Sequence, residues 1–231
     1  MISENKKKQI QRKIRYFVEA VWEIEDKEGF ENITIKKIAD IAGYNVSTIY
    51  TYFENLNHLL AFASLRHLRE YAIALSEYIK GINDPLTLYL KTWECFNYYS
   101  FSKPHIYKNL FFGDYAPYYK KSLDLYYEIF PEHLPPKELI LGSLHQEKDL
   151  FKRDLSLLLP SAKAGIIPKE NMNTISTINI MISRGMLDYL STPGIEYSAE
   201  QLCKTITNHQ AHALLGFGVP REAINDFLEN S

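Results

Sequence analysis

The stretch Ile38-Ala39-Asp40-Ile41-Ala42-Gly43-Tyr44-Asn45-Val46-Ser47-Thr48-Ile49-Tyr50-Thr51-Tyr52-Phe53 decides how this 231-residue chain folds. Ile38, Ala39 and Ala42 stand at helical spacing, and Gly43 supplies the backbone freedom that stops a helix. Asn45 is a residue type that starts a helix, and Ile49 and Phe53 lie one turn apart on that next helix's inner side. The result is two brief helices joined by a glycine turn. That layout is the helix-turn-helix, in which the second helix enters the major groove of duplex DNA while the first braces it.

Working outward, Ile10, Ile14, Phe17, Val21 and Ile24 recur every three or four residues and predict a first helix ending near Gly29. Thr34 is placed to cap the second helix. Asn55 is placed to cap a fourth that carries Leu59, Leu60, Leu65, Leu68, Ala72, Leu75 and Ile79 without interruption. After Pro85 the pattern predicts helices over 85–101, 104–112, 115–129, 137–159, 169–190 and 198–216. Breaks are expected at Pro104, Pro131, Pro135 with Pro136, Pro160, Pro168, Pro193 with Gly194, and Pro220. No alternating β-branched run competes, so the expected fold class is all-α.

Composition narrows the function less than the motif does. A chain with 46% hydrophobic and 23% charged residues is neither disordered nor fibrous, and a net charge of −2 gives no global field for nucleic acid. Locally, Lys6, Lys7, Lys8, Arg12, Lys13 and Arg15 face only Glu4, which reads as a basic arm ahead of the first helix. Cys95 and Cys203 have neither zinc-ligand nor disulfide-framework spacing and fit a reducing compartment, so a cytoplasmic location is expected. No apolar run approaches the roughly 20 residues of a membrane span, and neither export nor membrane insertion is expected. Phosphate loops, nucleophile elbows and zinc-protease helices are missing from the sequence, so neither an enzyme nor a cofactor is expected. His209 and His212 stand three apart with Cys203 before them, but without a carboxylate at convincing spacing they read as a surface or interface pair rather than a metal site.

The quoted stretch resembles the TetR (tetracycline-repressor) family of transcriptional regulators. Ala39, Ala42, Gly43, Thr48, Tyr50, Tyr52, Phe53, Leu59 and Leu60 match its pattern, and Gly29-Phe30 with Thr34 matches its first inter-helix link. Two positions depart from that pattern: Ser47 stands for a usual Gly, and Leu56 for a usual phosphate-contacting Lys. The resemblance implies a helix-turn-helix domain over 1–54 and an all-helical sensing and dimerisation domain over 55–231. It implies DNA contact by Asn45, Val46, Ser47, Thr48, Tyr50, Thr51 and Tyr52, with hydroxyls on phosphates and Val46, Ser47 or Thr51 on base edges. Thr34 and Lys36 at the start of the second helix complete the set. Asn45 has two possible jobs, helix cap or adenine contact, and the cap is the favoured one.

Fourteen aromatic residues crowd 93–130. Any one of them reads first as core packing, but together, with the sensor that the resemblance implies, they suit a small-molecule cavity. Trp93, Phe96, Tyr99, Tyr107, Phe111, Tyr115, Tyr119 and Tyr126 are the candidate ligand residues. The resemblance also implies a homodimer through 169–216, where Ile175, Ile178, Met181, Ile182, Met186 and Leu187 precede Leu202, Ile206, Ala213 and Leu214. The expected function is thus a ligand-responsive regulator, a repressor binding a palindromic operator and released by an inducer. The competing expectation is an interaction protein that keeps the fold without binding DNA.

Overall fold

The computed structural model describes residues 3–134 and 149–225, and every regular element in them is helical. The expected all-α class is therefore found. The chain divides into two compact units, one of residues 1–69 with 109–134 and the other of 70–108 with 135–231.

In the first unit α1 (Glu4–Glu28) buries Ile14, Phe17, Val21 and Ile24 of the expected stripe and Val18 beside them, while Ile10 is only half-buried. It starts at Ser3, so the basic stretch is the first turns of this helix rather than an arm leading into it. Two of its cations are engaged locally, Lys7 with Glu128 and Arg15 with Glu132 at 2.9 Å. The helix ends at Gly29 with φ 90°, a conformation costly for any other residue. Next come α2 (Ile35–Ala42) and α3 (Val46–Ile49), then α4 (Leu56–Ala63), capped by Asn55, whose side chain accepts from the His58 N–H at 2.9 Å. The unit is completed by the start of α5 (Leu65–Tyr78), the end of α7 (Pro104–Phe112) and α8 (Ala116–Ile129), with α4 packed on α8.

The fourth helix is not continuous as the sequence predicts; it breaks at Ser64. In an unbroken helix the His67 N–H would bond to the Ala63 carbonyl. Here the Trp22 indole N–H takes that carbonyl at 2.8 Å, and the His67 N–H donates to Ser64 instead. A side chain inserted in the ladder has split one helix into two. Beyond the break the His67 ring meets Glu25 at 2.9 Å, and Arg66 meets Glu25 and Asp26 at 2.7 Å each. Burial would raise the Glu25 carboxyl, but bonds from His67 and the Arg66 charge more than offset it and hold the group below the usual range.

In the second unit α6 (Pro85–Ser102) is packed on α9 (Leu150–Lys163), α10 (Met172–Leu190) and α11 (Ala199–Leu215). Helix boundaries fall within a few residues of those predicted, with two qualifications. Residues 137–148 of the predicted 137–159 helix, and the Pro135-Pro136 break, lie outside the described residues. Pro160 does not end α9, which continues to Lys163 and closes with the Ala164 N–H on the Pro160 carbonyl at 3.0 Å. Proline forfeits its own N–H bond and crowds the carbonyl four residues before it, but the N–H groups after it still bond, so the last turn of the helix is kept.

A buried polar network joins these helices. Asp154 accepts from Trp93 Nε1 at 2.9 Å and from the Tyr89 hydroxyl at 3.3 Å, and Tyr89 in turn accepts from Asn179 at 2.8 Å. Gln210 donates to the Asn179 carbonyl and accepts from Asn97 at 2.9 Å, while Asn97 also donates to Thr207 and accepts from Ser183. Each of these groups except Trp93 is at most 3% exposed, so the donors and acceptors must satisfy one another.

Burial pushes the Asp154 carboxyl up to about 6. An acid that titrates higher folded than unfolded binds its proton more tightly in the folded state. Its contribution therefore favours folding fully below the unfolded value of about 3.9 and is lost as pH rises through 6. Urea unfolding of the wild type and Asp154→Asn should show the stability difference, wild type minus variant, falling by about 2–3 kcal/mol between pH 4 and pH 7.

Candidate nucleic-acid interface

The helix-turn-helix is built from its caps inward. Thr34 accepts from the Lys37 N–H at 3.3 Å and opens α2. Gly43 closes it at φ 73°, with nothing within 4 Å of where a Cβ would stand, so the left-handed backbone and not crowding demands glycine. A helix of four residues such as α3 does not hold itself. It is held by Ile49 and Phe53, 0% and 2% exposed, and by Tyr44 lodged against the Phe17 ring at 5.3 Å.

With that side buried, the candidate contact residues fall on the other. Asn45, Ser47, Tyr50 and Thr51 are exposed, Tyr50 to 50%, while Val46, Thr48 and Tyr52 are half-buried. Thr51 donates to the Ser47 carbonyl at 3.3 Å and Tyr52 packs toward Phe17. Thr34 is exposed with its hydroxyl oxygen occupied by the cap. Lys36 is exposed and in no ion pair among the described residues, whereas Lys37 is held by Glu28 at 2.6 Å. Asn45 corrects the favoured expectation. It occupies the N-cap position with extended backbone, yet its side chain makes no capping bond, and only its carbonyl is used, by the Thr48 N–H at 2.9 Å. Its side-chain amide has no hydrogen-bond partner among the described residues. Leu56 is the first residue of α4 and half-buried.

The candidate ligand residues do not form one cluster within either unit. Trp93, Phe96, Tyr99 and Tyr107 belong to the second unit and Phe111, Tyr115, Tyr119 and Tyr126 to the first. In the first unit Tyr126 is fully buried between Phe62 and Phe130, and Tyr119 packs on Phe111 at 5.7 Å. In the second, Tyr107 is fully buried beside Phe96. Trp93 and Phe96 border a small cavity of about 30 Å³ with Tyr71 and Asp154. Tyr99 borders a larger one of about 300 Å³, whose walls include Tyr78, Cys95, Tyr98 and Cys203 from α5, α6 and α11. Sequence reasoning passes over Tyr78 and Cys203 because they lie outside the aromatic-rich window, and over Cys95 because it is not aromatic; no local pattern reveals that three distant helices meet there. The Cys203 thiol donates to the Glu94 carbonyl at 3.1 Å, and His212 Nδ1 faces the Asn208 carbonyl at 2.8 Å.

Residues 19–61 match the family described as bacterial regulatory proteins, tetR family. No curated protein matches the chain by sequence. Among solved structures, RolR in complex with resorcinol is 12% identical with a TM-score of 0.59, covering 90% of this chain and 89% of that one. FadR from Thermus thermophilus, a TetR-family transcriptional repressor in complex with lauroyl-CoA, is 13% identical with a TM-score of 0.55, covering 87% and 93%. At such identities the likeness is one of fold. No helix among the described residues is long and apolar enough to cross a membrane.

The two caps make a direct contrast. Thr34→Ala should cost about 1 kcal/mol in urea unfolding, because it removes a made bond. Asn45→Ala should stay within about 0.5 kcal/mol of wild type. Equal losses would mean that the Asn45 amide does cap its helix in solution.

Proposed function

We propose that this chain, which carries a TetR-type DNA-binding segment on a TetR-like helical fold, is a ligand-responsive transcriptional repressor. It binds a palindromic operator as a homodimer and leaves it when a small molecule binds. The observation that carries this reading is the exposure of Asn45, Ser47, Tyr50 and Thr51, with Val46 and Thr48 half-buried beside them, opposite the buried Ile49 and Phe53. Hydroxyls of Thr48, Tyr50 and Thr51 suit phosphates, while Val46, Ser47 and the unspent Asn45 amide suit base edges. Residues 1–54 read the DNA, 55–231 sense and dimerise, and the protein works at the nucleoid in the cytoplasm rather than as an enzyme.

Support for the homodimer comes from α10. Ile175 and Leu187 are buried within the chain, but Ile178, Met181, Ile182 and Met186 form a stripe that is at best half-buried, with Met181 42% exposed. Apolar residues at helical spacing left open to water are what a paired helix would cover. A small-molecule effector is supported by the ligands held in RolR and FadR and by the cavity in this chain's second unit. Half-sites on DNA are read about 34 to 36 Å apart, so a modest shift of the recognition helices on effector binding is enough for release.

On the DNA flanking its own gene, fluorescence anisotropy should show that Thr48→Ala and Tyr50→Phe weaken binding on all sequences alike, whereas Val46 or Ser47 substitutions change sequence preference. Leu56→Lys should steepen the salt dependence by about one unit of slope. Unchanged affinity in both Thr48→Ala and Tyr50→Phe would refute the phosphate assignment.

Light scattering at micromolar concentration should report a dimer for the wild type and a folded monomer for Met181→Glu. A wild-type monomer would rule out the homodimer, and a Met181→Glu dimer would place the contact elsewhere.

A further inference from the structure

The only two cysteines of the sequence border the same cavity of the second unit, and both are buried free thiols. We propose that this cavity binds a small, flat, uncharged aromatic molecule, seated against Cys95 and Cys203 and hydrogen-bonded by the phenols of Tyr98 and Tyr99. This rests on the effector reading above and gives the effector a place and a chemical class.

Size is the first argument. At about 300 Å³ the space lies at the lower end of ligand pockets, enough for one or two fused rings. The second is the character of the walls. Burial pushes the Cys95 thiol up to about 12 and that of Cys203 to about 11, so both are neutral near pH 7. A neutral thiol is a poor nucleophile but a soft, polarisable surface on which an aromatic ring packs well. Tyr98 and Tyr99 meet edge to face at 5.5 Å and offer a ring a second aromatic surface.

Charge is the third argument, and it selects against ions. Glu94 is held by Lys91 at 2.6 Å and by the Tyr78 hydroxyl. Glu200 is held by Lys204 at 3.3 Å. A ligand ammonium or carboxylate would therefore meet no unpaired opposite charge in these walls. The hydroxyls of Tyr98 and Tyr99, by contrast, have no hydrogen-bond partner among the described residues. They are the polar groups left over for an uncharged hydroxyl or carbonyl on the ligand.

The thiols are built-in reporters, so the test needs only the intact wild-type protein. N-ethylmaleimide labelling, followed by peptide mass spectrometry, is compared without ligand and with 2-naphthol, 2-naphthoate or 2-naphthylmethylammonium. The expected result is that 2-naphthol slows labelling of both cysteines together, by about tenfold at ten times its dissociation constant. The anion and the cation protect at least about tenfold less at equal concentration. Protection of neither cysteine, protection of one alone, equal protection by a charged relative, or failure of either thiol to label in the free protein would each overturn the proposal. In calorimetry Ala74→Phe, which extends a wall residue into the space, should lose the heat of 2-naphthol binding while its circular dichroism and melting stay those of the wild type. A folded variant that still binds 2-naphthol as before would also overturn it. None of these readouts involves DNA. Failure of operator binding would leave the cavity result standing, and failure of thiol protection would leave operator binding intact.

Discussion

A single indole N–H sets the path of the chain after the helix-turn-helix. By occupying the Ala63 carbonyl, Trp22 denies it to His67, and the long helix that the sequence favours becomes two. The energy involved is that of one hydrogen bond, about 1 kcal/mol net, but its effect is geometric because the Ala63 carbonyl serves the indole and the His67 N–H bonds to Ser64 instead, which ends one helix and starts the next. The residues freed by the break are then used. His67 and Arg66 reach back to Glu25, one turn beyond Trp22 on the same helix, so α1 is tied to α4 by the indole and to α5 by the ion pairs. A half-buried carboxylate with two partners is stable only while both remain in place, which makes this joint a single cooperative unit.

The contact surface depends on that framework because α3 has almost no structure of its own. One turn of helix is below the length that propensity can sustain, and its direction is set by Ile49 and Phe53 against helices that are themselves fixed. Along this stretch the inward pair, Ile49 and Phe53, holds position, while Asn45, Ser47, Tyr50 and Thr51 stay exposed. Asn45 stands at the boundary. Its backbone does the work of an N-cap while its side chain does not, so the start of the helix rests on packing and on the Asn45 carbonyl.

The second unit is held differently. Its centre is polar, a chain of amides, hydroxyls and one carboxylate shared among α6, α9, α10 and α11. Such a network fixes the register of four helices, since a slip of one residue would leave buried groups unsatisfied. Two cavities border that unit's helices, and they differ in kind. The smaller faces Asp154, and the larger faces neutral thiols, phenols and charges already paired. Fixed helices around an apolar space are what allow a cavity to persist without collapsing onto itself.

Most helix positions among the described residues, the glycine turn, the caps at Thr34 and Asn55 and the apolar side of α3 were determined by the sequence alone, the break at Ser64 and the passage of α9 through Pro160 excepted. Each depends on residues within a turn or two of one another, where spacing and backbone preference suffice. The same holds for the family pattern over residues 38–60, which is a local constellation. What the tertiary structure decided are the features made by residues far apart in the chain. Ser64 interrupts a good helical pattern because Trp22, 41 residues away from Ala63, competes for a backbone group. The residues of the aromatic-rich window belong to two units, and within each they serve as core, a use that spacing alone does not distinguish from a ligand site. Cys95 and Cys203 share a cavity only because α6 and α11 lie side by side, and no period or motif in the sequence encodes that neighbourhood.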